Sequence, residues 1–155
     1  MRIAAFDESE ERDQRGRWSK GGGNGADKSA LAKMSFKPST ALKQAIADRS
    51  EEELSKSLAI PRTKDNSPFD LVGKGVGVEI KTLMDNKNSK VTMHPESRMR
   101  KIAAARKEGL RMYTVVVDRR TEGQVSYYFA SGIGSFRISS MKAVGSVQAL
   151  KRLIK

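Results

Sequence analysis

Between Asp70 and Glu79 lie eight residues, LVGKGVGV, and Glu79 is followed by Ile80 and Lys81. Two carboxylates and an ammonium set into a Gly- and Val-rich stretch must face something that needs charge. Val76, Val78 and Ile80 alternate with Gly77, Glu79 and Lys81, the period of a strand with apolar side chains on one face and both charged ones on the other. Residues 69 to 72 predict the partner strand, and GKG predicts the turn of a β-hairpin. If the loop spans residues 73 to 76, Val72 pairs with Gly77 and Asp70 stands opposite Glu79 on one face. Directly opposed Cβ atoms are about 4.5 to 5.5 Å apart, close enough for two carboxylates to share one divalent cation. A three-residue loop would make the contact diagonal.

Like charges at that distance raise each other's pKa, so positive charge is expected between them. Mg²⁺ or Mn²⁺ would supply it, and removing either acid would relieve the same repulsion. Lys81 would project beside the ion, where an ammonium orients or helps deprotonate a metal-bound water and stabilises charge on a phosphate under attack. The competing reading is a salt-bridge cluster on the solvated face of a hairpin, which contributes little to stability.

The elements around the hairpin follow from periodicity and punctuation. Residues 7 to 29 are charged and Gly-rich with one large apolar side chain, Trp18, so they bury too little to offset the entropy of ordering. Residues 1 to 35 are therefore expected to be a charged, Gly-rich flexible tail or linker, and residues 36 to 155 a single domain. Leu42, Ala45, Ile46, Leu54 and Leu58 recur at helical spacing, with Ser39 or Ser50 as N-cap, so one or two helices precede the hairpin. A short strand over residues 59 to 62 is a further expectation. Residues 85 to 95 read as a loop. Pro95 opens a helix to Glu108, ended by Gly109, whose apolar stripe is Met99, Ile102 and Ala103, with Arg100, Lys101 and Lys107 pointing clear. MYTVVVD is almost continuously apolar and β-branched, as a strand covered on both faces would be. A strand at QVSYYFA and a helix over residues 146 to 155 close the chain. The order predicts an α/β (α+β) domain with a mixed β-sheet flanked by helices; a wholly antiparallel sheet is the alternative.

PFD, eight intervening residues and EIK resemble the motif of the PD-(D/E)xK nuclease superfamily. The order of helix, hairpin, helix and buried strand over residues 40 to 118 is similar to that family's restriction-endonuclease-like core. The resemblance implies that Asp70 and Glu79 bind metal, with the backbone carbonyl of Ile80 as a further ligand, and that Lys81 is the catalytic lysine. The family often adds a glutamate from the preceding helix; SEEELSKSL offers Glu51, Glu52 and Glu53, and Glu52 is favoured, with Glu53 second. An acidic first turn complementing the helix dipole accounts for such residues equally well. Phe69 departs from the family's adjacent Pro-Asp, Pro68 standing one residue earlier. ERDQRGRWSKGGG is similar to linkers of bacteriophage minor head and portal-associated proteins, and VTMHPESRMRK, YTVVVD and GSFRI resemble a nuclease-like domain at the ends of such proteins. That resemblance implies a phage-associated product, in host cytoplasm or virion, with phage head proteins as further partners.

The charge of the chain suits such a reading. It carries a net +12, and residues 82 to 155 alone hold fifteen basic and five acidic side chains. A basic surface beside an acidic site fits a polyanion, of which nucleic acid is the commonest; a merely solvated basic face is the alternative. Lys90, Arg98, Arg100 and Lys101, near the start of the second helix, read as phosphate contacts or as ordinary solvated residues. His94 is either a participant in the chemistry or a structural histidine. Tyr113, Tyr127, Tyr128 and Phe129 could stack on bases, though core or cross-strand packing suits them better. With no cysteine and one histidine, disulfides, thiolate metal sites and histidine clusters are excluded, and any metal site must be built mainly from oxygens. No apolar run reaches the roughly eighteen residues of a membrane span, so no membrane partner is expected. The expected activity is a Mg²⁺-dependent endonuclease acting on DNA. The alternatives are a non-catalytic head-morphogenesis component that binds DNA or capsid protein, and an RNA-cutting toxin.

Overall fold

The computed structural model describes residues 39 to 155, except residues 65 and 86. The tail expected over residues 1 to 35 lies outside the described residues. Helix α1 (Thr40–Leu58) is a single helix rather than two, and Ser39 caps it through Oγ, which accepts from the Leu42 N–H at 3.2 Å. Ser50, the other candidate cap, is buried mid-helix, where its hydroxyl donates to the Ile46 carbonyl and accepts from Arg119 Nε. Strands β1 (Leu71–Gly73) and β2 (Val76–Leu83) form the hairpin, and β3 (Lys90–Val91) is a short strand inside the expected loop. Helix α2 (Pro95–Glu108) ends at Gly109, whose φ of 66° provides the left-handed cap. Then follow β4 (Arg111–Asp118), β5 (Ser126–Ser131), β6 (Phe136–Arg137), a 3₁₀ turn (Ile138–Ser140), β7 (Lys142–Val144) and α3 (Val147–Leu153).

Five strands make a mixed sheet in the order β1-β2-β4-β5-β7, with β2 and β4 parallel and the other pairs antiparallel. The parallel pair exists because α2 carries the chain back across the sheet between β2 and β4, which a tight turn cannot do. β3 and β6 pair separately. The strand expected over residues 59 to 62 is reduced to one bridge, Arg62 to Leu71, with the Val72 N–H donating to the Pro61 carbonyl.

One face of the sheet, with Val76, Val78, Ile80, Tyr113, Val115 and Val117, packs against Leu54 and Leu58 of α1 and Leu150 of α3. Phe69 and Ala105, from α2, form a second cluster with Ile133, and Val116 packs with Leu83, Val91, Ile138 and Met141 in a third. Both faces of β4 are covered, as its nearly continuous apolar run requires. Helix α2 is turned relative to the expected stripe: Met99 is 68% exposed, whereas Lys101 and Ala105 are buried. Ile102 of that stripe still packs against the cluster of Phe69, Ala105 and Ile133, and Lys101 points inward to Glu79 beside it. Among the described residues no helix is long and apolar enough to cross a membrane.

The hairpin turn has two residues rather than four. Lys74 and Gly75 take φ of 54° and 75°, the positive values a type I′ turn requires, and Gly73 pairs with Val76. Val72 still pairs with Gly77, because the shorter turn only adds one rung to the same ladder. Gly77 itself has a packing reason: a Cβ there would lie 2.9 Å from the ring of buried Phe69. Gly77→Ala is therefore expected to cost about 1 to 3 kcal/mol in chemical denaturation, since Phe69 must leave its rotamer or its place. A variant as stable as the parent would mean that the ring does not rest on β2.

Candidate functional site

Asp70 sits one residue before β1 and Glu79 in the middle of β2, on the face that α2 covers. The backbone around Asp70 is fixed from three sides. Its N–H donates to the Val78 carbonyl at 3.1 Å, its carbonyl accepts from the Thr63 N–H at 3.0 Å, and the Thr63 hydroxyl donates to the Phe69 carbonyl. The carboxylate is thereby aimed at the end of the ladder, where Oδ2 accepts the Ile80 N–H at 2.7 Å. A strand residue sends its N–H and C=O to the same side, so the Ile80 carbonyl faces this edge too.

Glu79 is 4% exposed and held by two lysines. Its Oε1 meets Lys81 Nζ at 2.8 Å and its Oε2 meets Lys101 Nζ at 2.6 Å. Lys81 is the more open of the two, with its side chain 37% exposed. Lys101 also donates to the Pro68 carbonyl and lies 5.5 Å from the centroid of the Phe69 ring. Sequence reasoning placed Lys101 clear of the buried face of α2; it is a buried member of the acid cluster. One signal was available: Arg98, Lys101 and Ala105 stand at i, i+3 and i+7, so the face that carries small Ala105 to the sheet carries Lys101 with it.

Despite those ammonium groups, Asp70 is short of positive charge. Its pKa is raised from 3.8 to about 6, chiefly because it is buried and then because Glu79 is close; the Ile80 N–H and Lys101 oppose the rise, and the charge of Glu51 adds to it. Of the three glutamates of α1, Glu51 is therefore the one felt at Asp70. It is 19% exposed at the side chain and bonded to Arg62 at 2.7 Å. Glu52, favoured from the sequence, is exposed and paired with Lys56, and Glu53 is paired with Arg49 and Arg119. The salt bridges hold the carboxyls of Glu52 and Glu53 below their ordinary pKa. The pattern could have shown this, because Glu51 precedes Leu54 and Leu58 by three and seven residues and shares their buried stripe, while Glu52 and Glu53 lie off it.

The remaining candidates fall elsewhere. His94 is the N-cap of α2, its Nδ1 accepting the Glu96 N–H at 3.4 Å. Arg98 donates from Nε to the Ile133 carbonyl, tying α2 to the segment after β5. Lys90 is exposed in β3 opposite Arg137. Arg100 is exposed and lines a cleft next to Lys101. Tyr113 and Phe129 pack ring to ring at 5.4 Å, and the Tyr113 hydroxyl donates to the Lys155 carbonyl, which accounts for them as packing residues.

No protein-family model matches the chain, and no curated protein matches it either. What the site could hold must be judged from its own donors. Among the described residues no group of three or more His, Cys, Asp or Glu side chains is arranged to ligate a metal. Two carboxylates and a carbonyl at one edge nevertheless fit a hard divalent cation that keeps several waters, as Mg²⁺ does. Asp70 Oδ1 takes no hydrogen bond from the described residues, and the raised pKa of Asp70 marks a carboxylate that an added positive charge would stabilise.

Proposed function

We propose that this protein is a metal-dependent phosphodiesterase of the PD-(D/E)xK type that cuts nucleic acid, with DNA as its substrate. The observation that carries the reading is the convergence of Asp70, the Ile80 backbone, Glu79 and Lys81 on one sheet edge. Asp70, Glu79 and the Ile80 carbonyl would hold Mg²⁺ or Mn²⁺, with Glu51 rather than Glu52 nearest to joining them. The ion, when bound, polarises the phosphate and activates a water. Glu79 keeps the Lys81 ammonium at the mouth of the site at 2.8 Å, where it can orient the attacking water and stabilise charge developing on phosphorus oxygens. The excess of basic residues after residue 81 supplies the attraction for a phosphate backbone.

A second reading has one observation in its favour. Both Glu79 oxygens are already engaged by lysines, as in a domain that keeps the fold and binds DNA or a phage head protein without turnover. Cleavage of supercoiled plasmid in Mg²⁺, Mn²⁺ or EDTA separates the two. Metal-dependent nicking is expected, with Lys81→Ala slower by about a hundredfold or more while the protein stays folded. Wild-type protein that binds plasmid but cuts neither DNA nor RNA in either metal gives the site to the second reading.

A further inference from the structure

We infer that the cleft between residues 66 to 68 and helix α2 binds one phosphodiester group of a nucleic-acid backbone, with Lys101 at its inner end and Arg100 on its wall. This rests on the proposed function and names where the strand beside the cut bond is held. The cleft has a volume of about 490 Å³, ample for a phosphate and its sugar, and is lined by Asn66, Ser67, Pro68, Ser97, Arg100 and Lys101. These supply an amide, two hydroxyls, a guanidinium and an ammonium, and no carboxylate among the described lining residues. Such a donor-rich wall suits a phosphate and repels a cation.

Lys101 joins this cleft to the acid pair. An ammonium has three N–H donors, and here two are engaged, by Glu79 Oε2 at 2.6 Å and by the Pro68 carbonyl. The third is left for an anion in the cleft. A phosphate there would be fixed relative to Glu79 through a single side chain, itself buried and unable to swing away. Arg100, exposed and next to Lys101 in the sequence of α2, adds a planar donor pair that matches two phosphate oxygens. Lys101 is thus a positioning residue, and Arg100 a backbone contact.

Anisotropy of a short labelled DNA duplex, with a matched RNA duplex alongside and EDTA present to stop cleavage, tests the cleft directly. Arg100→Ala is expected to weaken binding about tenfold and to lower the salt dependence by about one phosphate. Lys101→Met should do the same, and Arg100→Ala keeps the test decisive if Lys101→Met fails to fold. Which duplex shows the Arg100 dependence identifies the source of the phosphate. Wild-type affinity and salt slope in Arg100→Ala, or no binding of either duplex by wild type, overturns the cleft. Binding that depends on Arg100 in a protein that never cuts would leave the cleft standing and remove the nuclease. Cutting by Arg100→Ala with unchanged KM would do the reverse.

Discussion

Glu79→Ala is expected to destabilise the protein by about 3 to 5 kcal/mol, measured by urea denaturation in EDTA, because it leaves an ammonium buried without its carboxylate. Lys101 is 9% exposed and Glu79 is its only salt-bridge partner among the described residues. Its other contacts, the Pro68 carbonyl and the Phe69 ring, are neutral. Lys81 differs, since a side chain 37% exposed can turn to water when Glu79 is lost. Lys101→Met should cost far less, because Glu79 keeps Lys81 and the thioether chain fills the same volume against Phe69. The double variant Glu79→Ala, Lys101→Met should then recover most of the loss, a coupling that a double-mutant cycle reads directly. Additive losses would mean that the two side chains act independently. The two acids, which the sequence presents as equivalent members of a repelling pair, are therefore unlike: Glu79 is the anchor of a buried charge and Asp70 the unrelieved one.

The difference shows what a sequence pattern can carry. Alternation along residues 76 to 81 was enough to put Glu79 and Lys81 on one face, and the Val72 to Gly77 pairing survived a wrong turn length because both turns belong to one register. Gly109, Pro95 and Ser39 mark helix ends by local chemistry, and those ends were legible. Lys101 was not, because its burial depends on which way α2 faces the sheet, a tertiary matter in a helix with few apolar residues. A lysine stem is itself apolar enough to be drawn into a core when a carboxylate waits at its end. The single helix α1 and the reduced strand at Arg62 fall in the same class: propensity and punctuation allowed either outcome, and packing against the hairpin decided.

Asp70→Asn, in contrast to Glu79→Ala, is expected to stabilise the metal-free protein. The amide oxygen can still accept the Ile80 N–H, and the charge that burial and Glu79 oppose is gone. A carboxyl whose pKa rises from 3.8 to about 6 on folding binds its proton more tightly in the folded state, so wild-type stability falls as pH climbs through that window. At about 1.4 kcal/mol per unit, the variant's advantage over wild type should grow by about 2 to 3 kcal/mol between pH 4 and 7 and stay level above. Unfolding in EDTA across that range checks it, and a gap that does not widen would place Asp70 in solvent rather than beside Glu79. Saturating Mg²⁺ should then act on wild type alone, adding about 2.7 kcal/mol at a hundredfold excess over Kd and cancelling the variant's advantage. An advantage that the ion cancels ties the repulsion to its use: the charge that weakens the metal-free fold is the charge that would hold the cation.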